Sequence, residues 1–151
     1  MRYTLILTIA ILVFTACKKD KFTTAPQLKF KSISPTVIAS SGLGAEPVLT
    51  FNITDAEGDI GITSKDTAYI YMKSLLTNDF DSLPFPNLQT ASKSNFQADV
   101  DFSTRKVFKC KPIPGGALHT DTLYFEVYVK DFAKNKSNVI KTGYPVYYTC
   151  K

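Results

Sequence analysis

The chain has no tryptophan, one histidine and three cysteines among its 151 residues, and each scarcity narrows the functions open to it. Without tryptophan the strongest sugar-stacking side chain is missing. The single histidine, His119, follows Pro114-Gly115-Gly116, where the sequence predicts a solvent-facing turn and not a base or metal ligand with partners. No phosphate-binding glycine loop, zinc-finger spacing or serine-triad motif is present, so the reading is non-enzymatic. The net charge of +5 comes from lysines scattered along the chain, which argues against nucleic acid as a partner. No helical period of useful length and no internal repeat occurs, and no apolar run reaches the ~20 residues that a membrane-spanning helix needs.

What is present begins with the first twenty residues. Met1-Arg2 is a short positive start, Tyr3 to Phe14 is almost wholly apolar, and Thr15-Ala16-Cys17 precedes Lys18-Lys19-Asp20-Lys21. This is the layout of a signal peptide, expected to form a signal helix over residues 1–16. Phe14-Thr15-Ala16-Cys17 resembles the lipobox of bacterial lipoproteins, with Phe14 in place of the usual Leu or Val. The resemblance implies cleavage before Cys17, lipidation (diacylglycerol and palmitate) on its thiol, and a membrane as partner through that anchor. Each buried CH₂ contributes about 0.8 kcal/mol, so several acyl chains hold firmly. The charged tail is similar to those that follow the lipidated cysteine in Bacteroidota lipoproteins, which implies a cell-envelope, outer-membrane location. Residues 17–26 then read as the lipidated cysteine and a tether.

Residues 27–151 form one domain of ordinary size with a period of two. Leu49, Phe51 and Ile53 alternate with polar residues, as do Phe96, Ala98, Val100 and Phe102, and Leu123, Phe125, Val127 and Val129. Such alternation predicts strands with one buried face. Further strands are expected over 27–33, 67–73, 106–112 and 138–149, the last interrupted by Gly143 and Pro145, whereas 74–95 reads as a long loop, a loose edge or an irregular insert. About seven or eight short strands with turn formers between them predict an all-β, antiparallel immunoglobulin-like β-sandwich.

Asp131-Phe132-Ala133-Lys134-Asn135-Lys136-Ser137-Asn138 resembles the Asp-x-Ala-Gly-Asn-x-Ser-Asn turn near the end of many bacterial immunoglobulin-like and cadherin-like surface domains. Lys134 stands where that pattern has glycine, and Asn135 is expected to take the left-handed conformation instead. Asp55-Ala56-Glu57-Gly58-Asp59-Ile60-Gly61 looks like the acidic turn of such domains. The resemblance implies a fold and a location, not an activity.

Asp55, Glu57 and Asp59 are the candidate metal ligands: no cofactor is required, but three carboxylates within five residues can converge on calcium, with Asp131 or Asp66 completing the set. Asp66 occupies the twelfth position from Asp55, yet Ile60 replaces the glycine an EF-hand needs. The alternative is a solvated hairpin turn whose acids stay wet. Cys110 and Cys150 share an inward parity, and either pair as a disulfide, which an envelope location permits, or lie as separate thiols. Tyr69, Tyr71, Tyr124, Tyr128, Tyr144, Tyr147 and Tyr148 either form a sugar platform or occupy half-buried strand positions that favour tyrosine. Asp99 and Asp101 sit about 7 Å apart on one strand face, the spacing of an inverting glycosidase pair. The function expected is a lipid-anchored cell-envelope module for binding or structural interaction with an envelope protein or glycan. Its rivals are a glycan-binding accessory lipoprotein of a polysaccharide uptake system and, more remotely, an envelope hydrolase.

Overall fold

The computed structural model describes residues 21–39, 46–87 and 94–151. The signal helix and Cys17 lie outside the described residues. Within them the chain is all-β, with strands β1 (Gln27–Ser34), β2 (Val37–Ile38), β3 (Val48–Asp55), β4 (Tyr69–Ser74), β5 (Phe80–Pro84), β6 (Phe96–Ser103), β7 (His119–Leu123), β8 (Phe125–Lys130), β9 (Ile140–Lys141) and β10 (Val146–Cys150), and a single 3₁₀ turn at Pro114–Gly116. No described helix is long and apolar enough to cross a membrane.

The strands form sheets of order β1-β3-β6, β5-β4-β8-β9 and β2-β10-β7. All pairings are antiparallel except β2 with β10, where Val37 and Ile38 run parallel to Tyr147 and Tyr148. β7 and β8 are one run of chain broken only at Tyr124, whose carbonyl accepts the Leu75 N–H at 2.9 Å; the first half pairs with β10 and the second with β4 and β9.

Alternation decides which face is buried. Leu49, Phe51 and Ile53 of β3, Val100 and Phe102 of β6, Ile70 and Met72 of β4, and Phe125, Val127 and Val129 of β8 all enter one core cluster. Full burial of such a side chain contributes about 1.5–3 kcal/mol, so a one-residue slip would expose a whole strand's apolar set.

Two expectations need correction and one is narrowed. Residues 106–112 are not a strand: Val107 is buried, but the segment is held by side chains, with Lys106 paired to Asp81 at 3.1 Å, Lys109 to Asp79 at 3.4 Å and Phe108 packed on Tyr148. Of the alternatives for 74–95, the edge is the one present: β5 lies at the edge of its sheet, paired with β4, and is followed by fully buried Phe85. Its prolines, Pro84 at the end of the strand and Pro86 beyond it, sit where a missing N–H is tolerated. In the tail turn it is Lys134, not Asn135, that has a positive φ, at 69°. The turn geometry places the left-handed residue where the related pattern has glycine.

That turn is braced internally by Asp131 and Asn135 and tied to the strands by Ser137 and Asn138. The Asp131 carboxylate accepts the Asn135 backbone N–H at 2.7 Å and its side-chain amide at 2.9 Å. Ser137 Oγ accepts the Val129 N–H at 2.9 Å, and Asn138 exchanges two hydrogen bonds with the Leu28 backbone, at 2.7 and 3.0 Å. The turn thus joins β8 to β1, and carries Asp131 to the strand end where Asp55 and Asp59 lie.

Candidate metal centre

Asp55 is the last residue of β3 and opens a tight turn in which its Oδ1 accepts the Gly58 N–H. Gly58 has φ 69° and Gly61 φ 120°, conformations that cost a side-chain-bearing residue about 1–2 kcal/mol. They fold the turn back so that Asp59 meets the tail turn: the Asp59 carbonyl accepts the Phe132 N–H at 3.0 Å and its Oδ2 the Ala133 N–H at 3.4 Å.

The result is not the solvated hairpin. Asp55 and Asp131 are each 0% exposed, Asp59 is half-buried, and only Glu57 faces water. One carboxylate oxygen from each of Asp55, Glu57 and Asp59 lies within 4.8 Å of the others. Asp55 Oδ2 and Asp59 Oδ1 are buried and accept no hydrogen bond from any described residue, although an unsatisfied buried acceptor costs about 1–3 kcal/mol, and more when charged. None of the ion pairs among the described residues involves these acids or Asp131.

The electrostatics follow from this crowding. Burial pushes the Asp55 carboxyl up from 3.8 to about 6 against the favourable Gly58 hydrogen bond, with the charges of Asp59, Asp131 and Glu57 adding to the rise. Asp59 is raised as well, by burial first and by Asp131 next. A site of this kind can do one of two things near neutrality: retain a proton, or hold a hard cation. Asp55, Glu57 and Asp59 present oxygen donors only, which suit calcium, an ion that takes 6–8 oxygens at about 2.3–2.6 Å. Asp131 adds charge from behind, with both its oxygens engaged by Asn135. Asp66 takes no part: it is exposed, in a separate turn with Thr63.

The other expected sites are dispersed. Asp99 accepts from Asn52 Nδ2 at 2.7 Å and faces Lys31, while Asp101 accepts from Thr50 Oγ1 at 2.7 Å. Both are exposed and engaged with their sheet neighbours. Tyr71 and Tyr128 stack at 4.7 Å and 7°, Phe80 lies against Tyr71 at 6.0 Å, and the Lys136 ammonium sits 4.1 Å from the centre of the Tyr128 ring. Their faces meet one another and Lys136, which leaves a sugar ring no free tyrosine face in this stack. Tyr148 packs on Phe108, and Tyr144 lies against Phe30 while its hydroxyl accepts the Ile33 N–H at 3.2 Å.

Cys110 and Cys150 are joined, with Cα atoms 5.9 Å apart. His119 does not face solvent: it begins β7, paired in register with Cys150, and its side chain is 21% exposed. The glycine-rich turn before it obscured this placement. Its shared parity with Asp121, which follows at i+2 on the same strand face, is the signal that would have shown it.

Comparison with known proteins finds no matching family model, no matching curated protein and no matching solved structure.

Proposed function

We propose that the chain is a lipid-anchored, non-enzymatic module of the cell envelope, an immunoglobulin-like sandwich used for binding or structural interaction, in which calcium occupies the Asp55–Glu57–Asp59 turn. The observation that carries the calcium assignment is the pair of buried carboxylate oxygens, Asp55 Oδ2 and Asp59 Oδ1, that have no hydrogen-bond partner and no ion pair among the described residues. Support for the sandwich comes from two antiparallel sheets, β1-β3-β6 and β5-β4-β8-β9, whose buried residues enter one core cluster.

The anchor gives the site an orientation. Thr54 Oγ1 donates to the Lys21 carbonyl at 3.0 Å and the Ala56 N–H to the Thr23 carbonyl at 3.1 Å. Cys17 precedes Lys21 by four residues, a reach of at most about 14 Å. A lipid on Cys17 therefore puts the acidic end of the domain towards the bilayer, where calcium would stiffen the junction between tether and fold.

Calcium binding stabilises the folded state by RT ln(1 + [L]/Kd), about 2.7 kcal/mol at a hundredfold excess over Kd. Melting of the full chain should rise on going from chelator to millimolar calcium, rise less with magnesium, and lose most of its calcium response in Asp59→Asn. Unchanged melting in calcium would refute the metal assignment. For the anchor, Cys17→Ser should move the protein out of the detergent phase or leave it uncleaved, and normal processing with unchanged partitioning would contradict lipidation.

A further inference from the structure

The outward faces of the two larger sheets differ in how they handle charge. On β1-β3-β6 the polar side chains satisfy one another: Asp99 meets Lys31 at 3.7 Å and accepts from Asn52, and Asp101 accepts from Thr50. On β5-β4-β8-β9 the outward positions carry rings and cations instead. The register sets Phe80, Lys73, Glu126 and Lys141 in one row and Tyr71 beside Tyr128, and a further bridge brings Lys136 beside Lys130. Lys73, Lys130, Lys136 and Lys141 thus share this face with Glu126 as the acid among them, and none of the ion pairs among the described residues includes any of the four.

These cations are held in place by the rings. The Lys136 ammonium lies 4.1 Å from the centre of the Tyr128 ring, that of Lys141 4.3 Å from Tyr124, and that of Lys130 5.5 Å from Tyr71. Attraction to the negative ring face orders flexible side chains before a partner arrives, which lowers the entropic cost of binding. The same geometry selects among anionic partners. Single-stranded nucleic acid stacks its bases on open ring faces, but Tyr71 and Tyr128 stack on each other, with Lys136 over Tyr128. Protein interfaces are depleted in lysine relative to the rest of the surface. A bilayer lies in another direction: β8 runs along this face and ends beside Asp131 at the acidic end, so in the anchored arrangement proposed above the face stands up from the membrane. An acidic polysaccharide needs no open ring, because its carboxylates meet the ammonium groups directly. Lys141 is level with Glu126, four strand residues from Lys130, about 13 Å, a span that suits a polymer better than a single small anion.

We propose that the outward face of the β5-β4-β8-β9 sheet binds an acidic polysaccharide, whose carboxylates pair with Lys130, Lys136 and Lys141. This names a partner for the binding role proposed above and rests on that role; the calcium site takes no part in it. Binding proceeds by charge and hydrogen bonding along the sheet, with no sugar stacked on a ring.

The test titrates the full chain with polygalacturonate in chelator, so that bridging calcium carries none of the signal. Saturable binding is expected, weakening as salt rises and screens the charges, and uncharged dextran should not bind. The variant Lys130→Ala/Lys136→Ala/Lys141→Ala should lose at least about tenfold in affinity, while Lys29→Ala/Lys31→Ala on the other sheet should change it less than about twofold. Amide shifts on adding a short oligogalacturonate should fall on β4, β8 and β9, a readout that holds even where the triple variant fails to fold. Equal losses in both lysine variants, or shifts on β1 and β3, would overturn the proposal while leaving the binding role intact. Tighter binding of polyglutamate, single-stranded poly(dT) or anionic vesicles than of polygalacturonate would overturn it in the same way. Absence of binding to every one of these probes would overturn it and count against the binding role as well.

Discussion

The two ends of the β7–β8 run solve the same problem by different chemistry. At its start, residues 104–118 have almost no ladder, and the chain is tied by the Cys110–Cys150 bond and by the Lys106–Asp81 and Lys109–Asp79 pairs. At its finish, two turns meet through backbone hydrogen bonds to Asp59 and Asp131, with three carboxylates pressed together and no covalent tie. About a dozen residues of strand, roughly 40 Å when extended, separate them. One end is cross-linked, while the other gathers acids that have no cationic partner among the described residues. The contrast teaches that a small β domain can secure irregular chain either by a covalent tie that limits the unfolded state or by hydrogen bonds between turns, to which we propose calcium adds.

The largest effect that would sharpen this contrast is expected at the cross-linked end. Closing a loop of sequence separation 40 limits the unfolded chain, so Cys110→Ser/Cys150→Ser should lose about 2–4 kcal/mol in denaturant titration. The loss should be the same in calcium and in chelator. A calcium-dependent loss would show the two ends to be coupled.

At the acidic end the sign of the pH effect is fixed by the upward shift. Asp55 rises from 3.8 to about 6 on folding, so its contribution is fully present below about 3.8 and is lost as pH climbs through 6. In chelator the fold should therefore weaken between pH 4 and pH 7, by up to about 3 kcal/mol for the fully buried Asp55. Asp55→Asn should remove most of that slope and stabilise the chelated protein at pH 7, while abolishing the gain from calcium. Stability that instead increases with pH across this window would contradict the burial argument.

The smallest effect concerns Lys134, whose φ of 69° is one a glycine adopts without steric cost. Lys134→Gly should raise stability by about 0.5–1 kcal/mol, measured by the shift of the denaturant midpoint. A destabilised variant would show that the lysine side chain matters more than its backbone strain.

Where alternation and burial coincide, the fold was legible in the sequence: β3 and β6 follow their apolar positions almost to the residue, whereas a bulge between Phe30 and Ser32 breaks the alternation of β1, and the run carrying Leu123, Phe125, Val127 and Val129 is divided at Tyr124 into β7 and β8. The segment 106–112 shows why alternation misleads. Val107 enters the core and Cys110 reaches Cys150, so the pattern of a strand is present without a neighbouring strand to supply hydrogen bonds. β5 was hidden for the opposite reason, since Asp81 and Ser82 interrupt its apolar positions and Pro84 and Pro86 suggest a loop. Asp55, Glu57 and Asp59 were readable as a cluster, and Asp131 as a neighbour. Their burial was not, because it depends on Phe132 and Ala133 arriving from more than seventy residues away. His119 was concealed by the glycine-rich turn that precedes it, although its parity with Asp121 places both on one face of β7, in register with β10.

The most direct test of the account is calorimetric titration of the chelator-stripped full chain with calcium at pH 7. The buried oxygens of Asp55 and Asp59, without a partner among the described residues, predict one calcium per chain, with binding weakened by at least about tenfold in Asp59→Asn and unaffected in Cys110→Ser/Cys150→Ser. No binding heat above dilution at millimolar calcium, together with a melting temperature that calcium leaves unmoved, would contradict it.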